Sequence, residues 1–213
     1  MTRLYDTISV HFYHPILKSK IEAFIQSCDI CQRAKLPGIR HGHLPPRNAL
    51  IAPWYEVAID LIGPWQVTIG PQVFSFQALT CIETVTNLAE VTCINNESSK
   101  HISMLFENNW LARYPCPSRC IHDNGGEFTG AAFSHMLCVN GIKDVTTTVK
   151  DPQANAICEQ LHQSISNSLR TMLHRYPPDN IDQINYIIYT CFATAAYASK
   201  VAIYCTLNIS PGA

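Results

Sequence analysis

One carboxylate interrupts an otherwise apolar strand in this 213-residue chain. Residues 57–62 read Val-Ala-Ile-Asp-Leu-Ile, with Asp60 inside. A charge on so apolar a strand is costly unless it is paired or bound to a metal ion. An edge strand that turns Asp60 to solvent is the plainer alternative. Residues 73–82 and 88–94 follow as further strands. Ser98 is positioned as the N-cap of a helix running through Arg113. A short strand over 119–122 runs into Asp123. A helix over 131–140 is closed by Gly141, and 144–149, rich in Thr and Val, is another strand. A long helix spans about 155–174, Pro177-Pro178 stops it, and a last helix spans about 181–200. Strands come first, with helices between and after, which predicts an α/β layered domain.

The front of the chain has a different texture. Leu17, Ile21, Phe24, Ile25 and Cys28 recur at helical spacing, so 17–29 is an amphipathic helix that ends in Cys28-Asp-Ile-Cys31. Leu36-Pro-Gly38 and Pro45-Pro46 mark a linker. The division is therefore 1–36, a linker at 37–50, and a main domain at 51–213. Apolar residues make up 47% of the chain, enough for a buried core. The net charge of -1 does not advertise a nucleic-acid binder, so any such contact must be local. Arg33, Lys35, Arg40, Arg47, His41 and His43 form one basic stretch without Asp or Glu, equally readable as a solvated linker. Ten cysteines without a small-domain framework, and no signal peptide, fit reduced thiols in a nuclear or cytoplasmic protein. The uncharged stretch 184–199 is short for a membrane span and reads as a buried helix.

Two more carboxylates join Asp60. Asp123 ends its strand in Ile-His-Asp-Asn-Gly-Gly-Glu-Phe, where Gly125-Gly126 allows a sharp turn; an ordinary Asx-turn is the alternative. Glu159 lies on the long helix. At about 100° per residue, Ile157, Leu161, Ile165, Leu169 and Met172 share one side, while Glu159, Gln163, Ser166 and Arg170 share the other. Glu159 thus borders a groove or simply faces solvent. Asp60, Asp123 and Glu159 are separated by 62 and 35 residues. Three oxygen donors suit Mg²⁺ or Mn²⁺, and an ion pair there can stabilise an in-line displacement at phosphorus.

At this point the chain resembles the integrases of retroviruses and gypsy-type LTR retrotransposons. The strings that carry the resemblance are Ala-Pro-Trp-Tyr-Glu-Val-Ala-Ile-Asp-Leu-Ile-Gly-Pro-Trp around Asp60, His-Asp-Asn-Gly-Gly-Glu-Phe around Asp123, and Asp-Pro-Gln-Ala-Asn-Ala-Ile-Cys-Glu into Glu159. Cys28-Asp-Ile-Cys31-Gln, with Tyr5, Phe12 and Tyr13 upstream, is similar to the end of the family's zinc-binding domain. The tail 195–213 is similar to the segment that closes the family's catalytic region. The resemblance implies an RNase H-like fold, a mixed five-stranded sheet flanked by helices, preceded by a partial helical zinc-binding segment. It implies a polynucleotidyl transferase: water trims the element's DNA ends, then the freed 3′-hydroxyls attack target DNA. Asp60, Asp123 and Glu159 would hold the divalent ions, and Asn124, Gln153, Asn155 and Arg170 would meet DNA. DNA and further copies of the chain would be the partners.

The chain also departs from the family. The family's two zinc-binding His would fall before or around residue 1, so the chain reads as a fragment with half a zinc site, Cys28 and Cys31. His11 and His14 lack the family's spacing. After Glu159 stands Gln160, where the family has a basic residue. Two other readings stay open: an inactive retroelement-derived DNA-binding fragment, and an RNase H-like nuclease acting on RNA–DNA hybrids.

Overall fold

The computed structural model describes residues 2–34, 52–147 and 152–197. The linker expected at 37–50 lies outside them, as does the tail beyond 197. Five strands form one mixed sheet in the order β3-β2-β1-β4-β5. These are β1 (Glu56–Ile69), β2 (Gln72–Glu83), β3 (Ala89–Ile94), β4 (Arg119–His122) and β5 (Lys143–Thr146). The first three form an antiparallel meander. β4 lies parallel to β1, and β5 parallel to β4.

Alternation along β1 divides the core into two. Val57 and Ile59 face α4 (Ser99–Phe106) and α6 (Ala131–Val139), packing with Phe106, Trp110 and Phe133. Ala58 and Ile62 face the other side, packing with Ile165 of α7 (Pro152–Arg175) and Ile188 of α8 (Ile181–Tyr197). Since successive strand residues point to opposite faces, Asp60 belongs to the side that α7 and α8 cover. The stretch expected from 184 onward as a buried helix is α8, with Ile184, Ile187, Ile188, Cys191 and Phe192 in the core. No helix among the described residues is long and apolar enough to cross a membrane.

Two boundaries and one buried stripe differ from the sequence expectation. Gly63-Pro64 does not end β1 at Ile62. The register with β2 shifts between Ile62 and Trp65, and pairing resumes to Ile69. Gly63 makes the bulge possible: its φ is +117°, and a Cβ there would lie 3.0 Å from the Phe76 carbonyl oxygen. The helix that Ser98 caps, by accepting the His101 N–H, stays α-helical only to Phe106. It then widens into a π turn over Glu107–Leu111 that carries Trp110 into the core. On α7 the buried stripe is Cys158, Leu161, Ile165 and Leu169, with Ile157 and Met172 only partly buried beside it.

The front of the chain is helical throughout its described part: α1 (Thr2–Ser9), α2 (Leu17–Ser27) and α3 (Asp29–Ala34). The amphipathic segment expected over 17–29 is thus two helices, divided at Cys28. α3 packs against α7. The described cysteine side chains, among them Cys81, Cys120 and Cys158, are free thiols.

Ile165 is fully buried between α7 and the sheet. Truncating it to Ala is expected to cost about 2–5 kcal/mol, because the surrounding core cannot close the cavity completely. Tyr186→Ala, at an exposed position on α8, should stay within about 0.5 kcal/mol of the parent. Urea denaturation of both variants checks this. Equal losses would mean that α7 is not the element closing this core.

Candidate active site

Asp60 is held by its neighbours from three directions. Its Oδ1 accepts the Leu61 N–H at 2.8 Å. Its main-chain oxygen accepts the Thr80 hydroxyl at 2.9 Å. Its Oδ2 lies 3.8 Å from Nδ1 of His162, and 32% of its side chain is exposed. Burial pushes the Asp60 carboxyl up to about 6, helped by the charge of Asp123 and, less strongly, of Glu127 and Glu159, while the Leu61 N–H works in the other direction. This acid therefore sits in a field made by three other carboxylates.

Asp123 follows β4 directly. The pairing Ala58↔Ile121 between β1 and β4, continued for two residues, brings Asp123 alongside Asp60. Asp123 is exposed, and its Oδ1 accepts the Gly125 N–H at 2.9 Å. That contact is the Asx-turn weighed from the sequence. Glu159 is exposed on α7, next to the buried Cys158. Burial, then Asp60 and Glu159, push the Cys158 thiol up to about 12, which locates the acidic cluster just above it.

The carboxylates share a field without sharing a coordination shell. Among the described residues, no three His, Cys, Asp or Glu side chains stand close enough to hold one metal ion. Asp60 and Asp123 each turn an oxygen to a neighbouring backbone N–H, and like charges do not converge unaided.

Two residues near this site went unmarked in the sequence reading. Glu127 folds back over the Asp123 turn: a Cβ on Gly125 would lie 2.5 Å from its Oε1. His162 reaches both Asp60 and Thr80. Burial lowers its imidazole to about 4, so it is neutral at pH 7. Its signal was available, since it stands three positions after Glu159 and hence on the same flank of α7.

The remaining expected residues are dispersed. Asn124 is exposed beside Asp123. The side chains of Gln153 and Asn155, in the first turn of α7, lie outside the description. Arg170 is exposed, with Nη1 3.3 Å from Asn167 Oδ1. It stands eleven residues beyond Glu159, roughly 16 Å along the helix axis, so it is not part of the carboxylate cluster. Cys28 is half-buried between α2 and α3, and the Cys31 side chain lies outside the description. His14 Nδ1 accepts the Ile16 N–H at 3.2 Å. Of the basic stretch, Arg33 is paired with Asp29, and Lys35, Arg40, His41, His43 and Arg47 are outside the described residues.

Residues 1–37 match the family described as integrase zinc binding domain. The chain is 23% identical over 212 residues to the retrovirus-related Pol polyprotein from transposon 412 of Drosophila melanogaster, a match covering 98% of this chain and 16% of that one. It is 24% identical over 165 residues to the Pol polyprotein of caprine arthritis encephalitis virus (strain Cork), covering 78% of this chain and 13% of the other. The chain thus spans about a sixth or less of the length of these relatives. A chain in the cryo-EM structure of the simian T-cell lymphotropic virus intasome in complex with PP2A regulatory subunit B56 gamma matches with a TM-score of 0.55 and 16% identity, over 91% of this chain and 63% of that one. The fold is the RNase H-like fold of integrase cores. The resemblance to retroviral and retrotransposon integrases, including a zinc-binding segment at the front, stands.

The raised Asp60 carboxyl has a stability consequence. Unfolded, Asp60 ionises near 3.8; folded, near 6. Between these values the folded state binds more protons, so its stability falls as pH rises from about 4 to about 6. Asp60→Asn removes that dependence. In EDTA, the denaturation midpoint of Asp60→Asn should therefore gain on the parent's between pH 4 and pH 7. An unchanged difference between the two proteins would contradict a raised Asp60 carboxyl.

Proposed function

We propose that this chain is the catalytic core of a retroelement integrase, which joins DNA ends to target DNA by metal-dependent phosphoryl transfer. The observation that carries the reading is that Asp60 and Asp123 stand at the ends of adjacent parallel-paired segments, with Asp60 on the sheet face that the Glu159 helix covers. The donor set fits Mg²⁺ or Mn²⁺, since all three donors are oxygens and a divalent ion would offset both the burial and the neighbouring carboxylates that raise Asp60. Asp60, Asp123 and Glu159 would hold it. When bound, an ion pair there supplies Lewis-acid stabilisation to the attacking and leaving oxygens of an in-line displacement.

The chain's own residues orient the reaction. The Thr80 hydroxyl and the Leu61 N–H fix Asp60, and the Gly125 N–H fixes Asp123. Asn124 lies next to the reacting phosphate in this reading, with Gln153 and Asn155 supplied from the start of α7. Arg170 would meet a backbone phosphate farther along the duplex, positioning DNA without reading its sequence. The substrates are the element's DNA ends, attacked first by water, and target DNA, attacked by the freed 3′-hydroxyl. DNA and further copies of the chain are the partners, in line with the intasome that the structurally similar chain comes from. We take 1–36 as the zinc-binding segment, 37–50 as the linker and 51–213 as the core.

A labelled duplex carrying the element's terminal sequence, incubated with plasmid and Mn²⁺, should yield strand-transfer products. Asp123→Asn should lose at least about a hundredfold in rate, the equivalent of several kcal/mol of transition-state charge stabilisation, with its unfolding curve unchanged. Equal cutting by Asp123→Asn overturns the assignment, and cleavage confined to an RNA–DNA hybrid would make the protein a nuclease.

Zinc is a separate matter. Two thiolates, Cys28 and Cys31, are half of a closed tetrahedral site. Zinc held by this chain alone is therefore expected to be weak and removed by EDTA. A full tight equivalent in metal analysis would make His11 or His14 ligands.

A further inference from the structure

His162 contacts Asp60 and Thr80 at once, and counting protons fixes what it can do there. Thr80 is fully buried and stands opposite Asp60 in the β1–β2 register. Its Oγ1 lies 2.9 Å from the Asp60 main-chain oxygen and 2.9 Å from His162 Nε2. A hydroxyl has one proton to give, and a carbonyl oxygen can only accept. The Thr80 proton therefore goes to the Asp60 carbonyl, and Nε2 of His162 must donate to Thr80. Nδ1 is the other ring nitrogen. That nitrogen faces Asp60 Oδ2 at 3.8 Å, too far for a direct hydrogen bond.

We infer that His162 is a positioning residue for the Asp60 site: its Nε2–H, held by Thr80, latches α7 to the Asp60 backbone and seats Nδ1 opposite Asp60 Oδ2. Two effects follow. The latch fixes the distance between the helix that carries Glu159 and the strand that carries Asp60. At 3.8 Å Nδ1 makes no direct hydrogen bond to Oδ2, so that oxygen stays available as an acceptor. Only the catalytic consequence rests on reading Asp60, Asp123 and Glu159 as metal ligands; the latch and its Nε2–H stand on the contacts themselves.

The test pairs spectroscopy with activity. In ¹⁵N-histidine-labelled protein, the ring shifts of His162 should report the Nε2–H tautomer, and Thr80→Val, which keeps the shape but removes the hydroxyl, should release it into a mixture. In DNA cutting, His162→Ala should raise the Mg²⁺ concentration for half-maximal rate by about 10–100-fold, the range for residues that orient metal ligands, with KM for DNA unchanged. His162→Gln, whose amide N–H can reach Thr80, should recover most of the loss. The His162→Ala, Thr80→Val double variant should be no worse than His162→Ala alone. A parent Nδ1–H tautomer, unchanged metal dependence in His162→Ala, or independently adding losses would each overturn the proposal. A parent that cuts no DNA would instead sink the integrase reading, and the tautomer measurement would then decide the latch.

Discussion

The seating of α7 across one face of the sheet is the contact on which the rest of the site depends. Cys158, Leu161, Ile165 and Leu169 bury one stripe of the helix against Ala58, Ile121 and their neighbours. Burying side chains of this size is worth about 1.5–3 kcal/mol each, so the helix has little freedom to roll. Glu159 and His162 flank that stripe and are oriented by it. Asp60 is dry enough to be perturbed because the same packing covers it. One hydrophobic contact thus sets both the geometry and the electrostatics of the acidic cluster.

A second layer of interactions keeps β4, and with it Asp123, in register. Glu56 is fully buried, pairs with Arg119 across the β1–β4 ladder, and faces it in the strand register. Arg119 also lies over the Tyr55 ring. At the other end of β4, His122 Nε2 is 2.8 Å from Asp144 of β5. In each pair one partner is buried, Glu56 or His122, and the other reaches toward solvent, so losing the outer partner leaves a buried polar group without its contact. Their effect here is on alignment: a shift of one residue in β4 would break both pairs and turn Asp123 to the other face.

Much of this was legible in the sequence, for identifiable reasons. Strands β2 to β5 and helices α6 to α8 carried period-2 or helical patterns, and the three motif strings gave the fold and the resemblance. The parts that were misread depended on contacts between distant residues. Gly63-Pro64 looks like a strand end, and only the backbone of Phe76 beside it makes it a bulge. The π turn that contains Trp110 goes with the packing of that ring against Trp54 and Tyr114, which no local periodicity encodes. Glu127 sits inside the quoted string around Asp123 and His162 one turn past Glu159, yet spacing alone does not show what either touches: Glu127 folds over the Asp123 turn, and His162 meets Thr80, 82 positions away.

The docking of α3 on α7 gives the long helix the character of a lever. With 24 residues, α7 is roughly 36 Å long, and its buried anchor at Leu169 stands about 15 Å along the axis from Glu159. Pivoting there by about 4° would swing Glu159 through about 1 Å, a displacement that, under the function proposed above, corresponds to about a hundredfold in rate. The front segment and Glu159 are thereby mounted on one and the same helix, so the position of one is referred to the other through α7.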